Sequence, residues 1–308
     1  MNVALVFAGG SGQRMRNSAK PKQFLELYGK PIIIYTLEVF EKHPEIDTVV
    51  VPCIAGWEDY LQKLLDKFGI TKVSKILTGG KDTQESKMIA LRYLQGICQE
   101  DDIVLLHDAV RPLVTEKMIT DNIASVREFG NGITAVPFTE TAITSDDGKE
   151  IRSTIIRNTM YVAKAPQSFY FKDVLEAHEK GETMPYTITI DTCSLMTELG
   201  KHLHIVPCET TNIKITTPED FFLFKALVDL KENQDIFLII QKQLKLKKHQ
   251  IESYYVILKL ENLMLSMVRE NIHYPIMKTI GLYFRKNSIF ITRFIAVWLI
   301  RMYGRRNI

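Results

Sequence analysis

The sequence is poor in every feature that would mark a disulfide-built, zinc-stapled or membrane-spanning protein. Cysteine occurs four times in 308 residues, at Cys53, Cys98, Cys193 and Cys208, with no Cys-x-x-Cys pair and no short spacing. That excludes a disulfide framework or zinc ribbon and suits a reducing cytosol, so the expected compartment is cytoplasmic. No apolar run approaches the ~20 residues that a spanning helix needs. The start, Met1 to Gly10, lacks the basic region of a secretory signal and runs straight into glycines. There is no internal repeat and no low-complexity tract. With 46% hydrophobic and 24% charged residues, the chain has the composition of a folded protein, not a disordered one.

The net charge of +3 conceals a division. Residues 241–308 hold 13 Lys/Arg against 3 Glu, whereas residues 1–240 hold 26 Lys/Arg against 33 Asp/Glu. An acidic body carries a basic tail. Polar residues between Lys231 and Asp235 mark the boundary, giving an expected body over 1–234 and a basic helical extension over 235–308. The plain expectation for the extension is a helical subdomain packing on itself or on the body. Basic amphipathic helices carrying Trp and Phe also suit an anionic membrane surface (here the inner face) or a protein partner. No nucleic-acid motif accompanies the charge.

Within the body, strand and helix signals alternate. Short apolar runs at 3–8, 48–51, 73–77, 103–106 and 133–138 read as strands, and 32–43, 57–68, 85–97 and 115–129 as helices. Pro31 suits the first helical position before 32–43. That order predicts an α/β fold, a mostly parallel sheet with helices on both faces, and a ligand site beyond the carboxyl ends of the strands. Gly9-Gly10, Gly79-Gly80 and His107-Asp108 all fall at such ends. Residues 141–144 and 150–156 flank Asp146-Asp147-Gly148, which predicts a hairpin arm over about 138–160, either an edge hairpin or a dimer contact. Further strands are expected at 205–207 and 213–216, then a helix from 218 with Thr217 as N-cap.

Five motifs bear chemistry. In Ala8-Gly9-Gly10-Ser11-Gly12-Gln13-Arg14, followed by Lys20-Pro21-Lys22-Gln23, small residues let backbone N–H groups approach a phosphate. Neither a dinucleotide fingerprint nor a Gly-Lys-Ser/Thr loop is present. What the segment adds is Arg14 and Lys22, cations suited to charge growing on a leaving pyrophosphate. His107-Asp108-Ala109-Val110-Arg111-Pro112 offers Asp108 for a triphosphate-bound Mg²⁺; the same Asp could cap a helix or pair with Arg111. Gly79-Gly80-Lys81-Asp82-Thr83-Gln84-Glu85-Ser86 is a glycine turn opening a helix, where backbone groups and Ser86 are candidates to read a base edge. Arg157-Asn158 with Ala165-Pro166-Gln167 forms the fourth, and Asn212-Ile213-Lys214-Ile215-Thr216 the fifth. In isolation Lys214 reads more readily as a snorkelling surface lysine.

Together these five ordered motifs resemble the cytidylyltransferases acting on 2-C-methyl-D-erythritol 4-phosphate or ribitol 5-phosphate, over residues 1–230. The resemblance implies a Rossmann-like, glycosyltransferase-A-like nucleotidyltransferase domain that forms a homodimer through its β-arm. It implies catalytic roles for Arg14, Lys22, Arg157 and Lys214, with Arg157 reaching from a partner's arm. It implies nucleotide contacts at Phe7, Ala8, Gly9, Gly10, Gly12, Gly79, Gly80, Lys81, Asp82, Thr83, Gln84, Glu85, Ser86, Asp108 and Ala109. Thr141, Arg157 and Thr189 fall on the substrate side, and Asp108 near Mg²⁺. Three positions depart from the pattern: Thr83 where Arg is usual, Ala165 for Thr, and Thr211 where the methylerythritol enzymes carry an acid. Trp57, Val110, Met160-Tyr161 and Asp191-Thr192-Cys193 resemble the ribitol enzymes. CTP and ribitol 5-phosphate giving CDP-ribitol and pyrophosphate is therefore the leading expectation. Methylerythritol phosphate, a UTP- or GTP-dependent sugar nucleotidyltransferase, and a catalytically silent nucleotide-binding or scaffold protein are the alternatives.

Overall fold

The computed structural model describes residues 1–10, 20–185, 188 and 190–232. The chain divides into Met1–Lys231 and Glu232–Ile308, so the described residues are essentially the first unit. The basic extension, and every expectation placed on it, lies outside the described residues. Among those residues no helix is long and apolar enough to cross a membrane.

A seven-stranded sheet runs through the centre of this unit. In sheet order its strands are β11 (Ile205–Pro207), β7 (Asn131–Pro137), β10 (Tyr161–Tyr170), β6 (Ile103–Asp108), β1 (Asn2–Phe7), β4 (Thr48–Cys53) and β5 (Val73–Thr78), while β2 (Glu26–Leu27) and β3 (Lys30–Pro31) pair separately. All pairings are parallel except those of β10, which runs antiparallel to both β6 and β7. Fully buried parallel strands read as unbroken apolar runs, as Val3–Val6 and Ile103–Leu106 do.

Alternation along β1 sends Ala4, Val6 and Ala8 to one face and Val3 and Leu5 to the other. The first face packs on α1 (Ile32–Lys42), α2 (Glu58–Phe68) and α4 (Glu116–Phe129); the second on α3 (Thr83–Leu94), α5 (Phe171–Gly181) and a short helix, Thr192–Glu198. α2 shows how sequence sets this packing. Leu61, Leu64 and Leu65 fall on one helical face and are buried, Glu58 and Asp59 sit in the first turn, and Lys67 sits in the last. α4 begins with the Thr115 hydroxyl accepting from the Met118 N–H and stops at Gly130, whose φ of +82° suits glycine.

Three elements differ from expectation. Pro31 precedes the first residue of α1 instead of occupying it. Residues 213–216 form no ladder: the Ile215 N–H donates to the Val110 carbonyl, and the Thr216 and Thr217 N–H groups go to the Asp220 carboxylate. Alternation there reflects a segment buried at Ile215 against α1 residues, not a strand. The arm pairs only β8 (Ile143–Thr144) with β9 (Ser153–Thr154), extended by the Ile155 N–H to the Ala142 carbonyl. The last described helix begins at 218, with the Thr217 hydroxyl receiving the Asp220 N–H.

β10, unanticipated because Ala165-Pro166 reads as a strand breaker, is the element that closes the site. Its ladder with β7 shifts register between Ala163 and Gln167, which accommodates the cis Ala165–Pro166 peptide. Buried Asn122 of α4 ties it down. Its amide donates to the Met118 carbonyl and the Thr134 hydroxyl, each at 2.8 Å, and its Oδ1 accepts from the Ser168 hydroxyl at 3.0 Å. Replacing Asn122 by Ala strands two buried hydroxyls. The expected loss is about 2–3 kcal/mol in urea unfolding, read as a lower midpoint at unchanged m-value.

Candidate active site

The register of the sheet, not any single motif, assembles the site. Phe7 lies opposite Asp108, Ala8 bridges Cys53, and Cys53 pairs with Thr78, so four strand ends finish level. The chain leaves β1 for β4 on one side and returns from β5 to β6 on the other. The break between β1 and β6 is thus the switch point where an open α/β sheet leaves a crevice. A cleft of about 600 Å³ opens there. It gathers Phe7, Ala8, Gly9, Gly10, Lys22, Lys81, Asp82, Thr83, Ser86, Asp108 and Lys214 from the expected residues.

Asp108 is its electrostatic centre. One carboxylate oxygen accepts from Lys214 Nζ and the other from Arg111 Nε, both at 2.8 Å. Burial works to raise the Asp108 pKa, but the Lys214 and Arg111 cations outweigh it and hold the carboxyl far below its usual range. Asp108 thus pairs with Arg111 and also with Lys214, which lines the cleft. Arg111 also donates to the Asn212 carbonyl at 3.2 Å, and Lys164 Nζ donates to the carbonyls of Thr210 and Asn212 at 3.1 Å. Buried Asn212 itself donates to the Ala165 carbonyl at 2.8 Å. The segment carrying Lys214 is therefore held by side chains where a ladder was expected.

The glycine loops are held by internal bonds. Gln23 Nε2 donates to the Ala8 carbonyl at 2.6 Å, fixing the residue beside Lys22 against the first loop. Trp57 stacks on Phe24 with ring centroids 5.0 Å apart, so it supports this segment from behind. In the second loop the Gly79 N–H donates to the Cys53 carbonyl at 2.6 Å, and a Cβ on Gly79 would stand 2.9 Å from that oxygen. Gly80 N–H goes to Ser86 Oγ at 3.0 Å, and Lys81 N–H to the Glu85 carboxylate at 2.6 Å. These donors set the turn and are spent on it. Asp82 caps α3 by accepting from the Glu85 N–H.

Several expected residues stand apart from the cleft. Gly79, Gly80 and Glu85 shape its wall without lining it. Gln84 turns to buried His178, its Oε1 3.0 Å from Nδ1. Ala109 is buried; its N–H donates to the Phe7 carbonyl and its carbonyl accepts from Thr36. Thr141 and Arg157 are exposed on the arm, with Arg157 Nη1 3.4 Å from the Thr139 carbonyl. Gly12, Arg14 and Thr189 lie outside the described residues.

Conversely, the cleft includes residues that sequence reasoning passed over or named only as neighbours: Lys87, Arg111, Lys164, Gln167 and Asp191. Gln167 donates weakly to the Asp191 carboxylate (3.2 and 3.4 Å) and accepts from the Cys193 N–H (3.0 Å). The Ala-Pro-Gln and Asp-Thr-Cys motifs are thus one structure. A lysine inside an otherwise apolar helix face was the available signal for Lys87.

Asp108 is the carboxylate paired with Lys214 and Arg111, and among the described residues no cluster of three or more His, Cys, Asp or Glu side chains suits a metal. A carboxylate has about four lone-pair positions, and two are used by Lys214 and Arg111. This donor set fits Mg²⁺ that takes most ligands from phosphates and water.

Comparison with known proteins agrees with this architecture. The family model "IspD: 2-C-methyl-D-erythritol 4-phosphate cytidylyltransferase" matches residues 2–230. The chain is 48% identical over 237 residues to a ribitol-5-phosphate cytidylyltransferase of Vibrio parahaemolyticus, covering 77% of this chain and 100% of that protein. A ribitol-5-phosphate cytidylyltransferase of Streptococcus agalactiae serotype III is 43% identical, covering 77% and 99%. Among solved structures, 4-diphosphocytidyl-2C-methyl-D-erythritol synthase from Anaerococcus prevotii superposes with a TM-score of 0.64 at 25% identity, covering 74% of this chain and 96% of that one. The Francisella tularensis 2-C-methyl-D-erythritol 4-phosphate cytidylyltransferase gives 0.60 at 26% identity, covering 71% and 95%.

His178 makes the pH response of this region testable. Burial first, then the Lys87 charge, pushes its pKa down to about 3. An unfolded histidine titrates at about 6.5, so as pH falls below that value the unfolded state takes a proton that the folded state refuses. Between pH 8 and pH 5 this one group should remove about 2 kcal/mol of stability. His178→Gln should lose about that much less over the same interval in chemical unfolding; an unchanged loss would contradict a neutral buried imidazole.

Proposed function

The chain belongs to the IspD cytidylyltransferase family, and from that premise we propose that its cleft joins CTP to ribitol 5-phosphate, giving CDP-ribitol and pyrophosphate. Similarity over nearly the whole length of ribitol-5-phosphate cytidylyltransferases, though over 77% of this chain, supports the choice of polyol, since the methylerythritol structures stand at much lower identity.

In the proposed reaction an oxygen of the polyol phosphate attacks the α-phosphorus of CTP in line. The new bond is O–Pα, the bond broken is that from Pα to the oxygen bridging to the β-phosphate, and both bonding electrons leave with pyrophosphate. A phosphate monoester is largely dianionic at neutral pH, its second pKa being about 6. No proton need be removed, so catalysis falls to alignment and charge stabilisation. Lys22 meets the growing charge beside Gly9-Gly10, and Arg14, which follows those glycines in the sequence, would share that role. Lys214, oriented by Asp108, offsets repulsion between the nucleophile and the α-phosphate. Lys164 and Arg111 hold the Asn212 carbonyl and so fix the segment bearing Lys214. Bound Mg²⁺, faced by Asp108, would supply charge neutralisation to the triphosphate.

The arm supports a homodimer. Ile143, Ile151, Ile155 and Ile156 are all exposed there, with Ile156 at 73%, and Arg157 beside them does not line its own cleft. A second copy would cover the isoleucines and receive Arg157 as a substrate-phosphate ligand.

Pyrophosphate release tests the function directly. With CTP and Mg²⁺, ribitol 5-phosphate should be consumed at least tenfold more efficiently than methylerythritol 4-phosphate. Lys22→Ala and Lys214→Ala should each lower kcat on the order of 10²–10³-fold while the proteins stay folded. No turnover with either polyol phosphate would overturn the assignment, and preference for methylerythritol phosphate would overturn the choice of polyol.

A further inference from the structure

Lys87 sits on the buried side of α3 among Met88, Ala90, Leu91 and Leu94 and is itself only 5% exposed. An amine so placed is costly unless its donors are matched. Two of them are: Nζ donates to the Ile190 carbonyl at 3.0 Å and to the Thr192 hydroxyl at 3.1 Å. Thr192 is held in turn by His178 Nε2 at 3.1 Å, which makes its hydroxyl a fixed partner. An ammonium carries three donors, and Lys87 lines the cleft.

Asp191 lines the same wall, directly after the residue whose carbonyl Lys87 grips. Burial lowers the Lys87 pKa to about 8, with the Asp191 charge opposing that fall, so the two groups interact. Asp191 is acceptor-only when ionised. It receives the long bonds from Gln167 and one from the Ser194 N–H at 3.3 Å, which leaves acceptor capacity facing the cleft.

A fixed ammonium beside a carboxylate is matched by an alcohol, which accepts from the first and donates to the second. A phosphate would meet Asp191 as a like charge. We propose that Lys87, with Asp191 beside it, binds a hydroxyl of the ligand and is a specificity-determining residue of this enzyme. The hydroxyl belongs either to the ribose of the nucleotide or to the polyol chain. The inference rests on the cytidylyltransferase function proposed above.

Steady-state kinetics of wild type and Lys87→Met would use CTP against its 2′- and 3′-deoxy analogues, and ribitol 5-phosphate against its deoxy analogues. For one substrate, Lys87→Met should raise KM about tenfold, change kcat by less than about threefold, and bring discrimination against the matching deoxy analogue towards unity. The CTP arm identifies the ribose as source, the ribitol arm the polyol. Discrimination unchanged in both arms would overturn the proposal. Wild-type protein gives a measurement free of any folding defect: reductive methylation with mass-spectrometric readout. CTP or ribitol 5-phosphate at saturation should slow Lys87 modification at least fivefold, with Lys149 on the arm turn unaffected. Equal modification with and without both ligands, or no modification of Lys87 in the free enzyme, would overturn it. Failure of the functional assignment shows differently, as absence of wild-type turnover.

Discussion

The Asp108 carboxylate, held between Lys214 and Arg111, is the interaction on which this site depends. It lies at the end of a strand whose register with β1 is set by the buried apolar residues Val104, Leu105 and Leu106 opposite Val3, Ala4 and Leu5. It therefore has a fixed position, and it gives two mobile cationic side chains a fixed position as well. Removing one partner from a partly buried pair leaves the others uncompensated. Here that would free Lys214 and, through Arg111, loosen the segment that carries it. Ground-state order of this kind is what a reaction without a proton-transfer step requires, since charge must already be in place when the phosphates approach.

Much of the fold was legible because buried parallel strands leave a strong signal. Val3–Val6 and Ile103–Leu106 admit few other readings, and glycines or a carboxylate directly after a strand place the crevice. What the sequence obscured was antiparallel β10. Its Ala165-Pro166 pair looks like a break, yet the ladder absorbs it through a register shift next to the cleft. Helix Phe171–Gly181 and the short helix Thr192–Glu198 were missed with it, and with them the wall bearing Asp191. The segment at 213–216 shows the reverse error: alternating residues suggested a strand, but its backbone is held by Lys164, Arg111 and Asp220 side chains.

Site residues divided along a similar line. Lys22, Asp108 and Lys214 could be picked out because isolated charges at strand ends or among apolar neighbours demand a reason. Ala109 and Gln84 sit beside such residues in sequence but point into the protein, a distinction that depends on which face of a strand end or helix turn is covered. Gly79 and Gly80 matter for a reason other than donating to a ligand: their N–H groups close the turn against Cys53 and Ser86. Thr192 has a physical reason once buried Lys87 is seen to need its hydroxyl.

The central claim is that Asp108 acts by ordering Lys214, so the two should behave as one unit. A double-mutant cycle on kcat/KM with Asp108→Asn, Lys214→Met and the pair measures this directly. Strong coupling is expected, the double variant being within about threefold of the poorer single variant. Independent, multiplying losses would contradict the account.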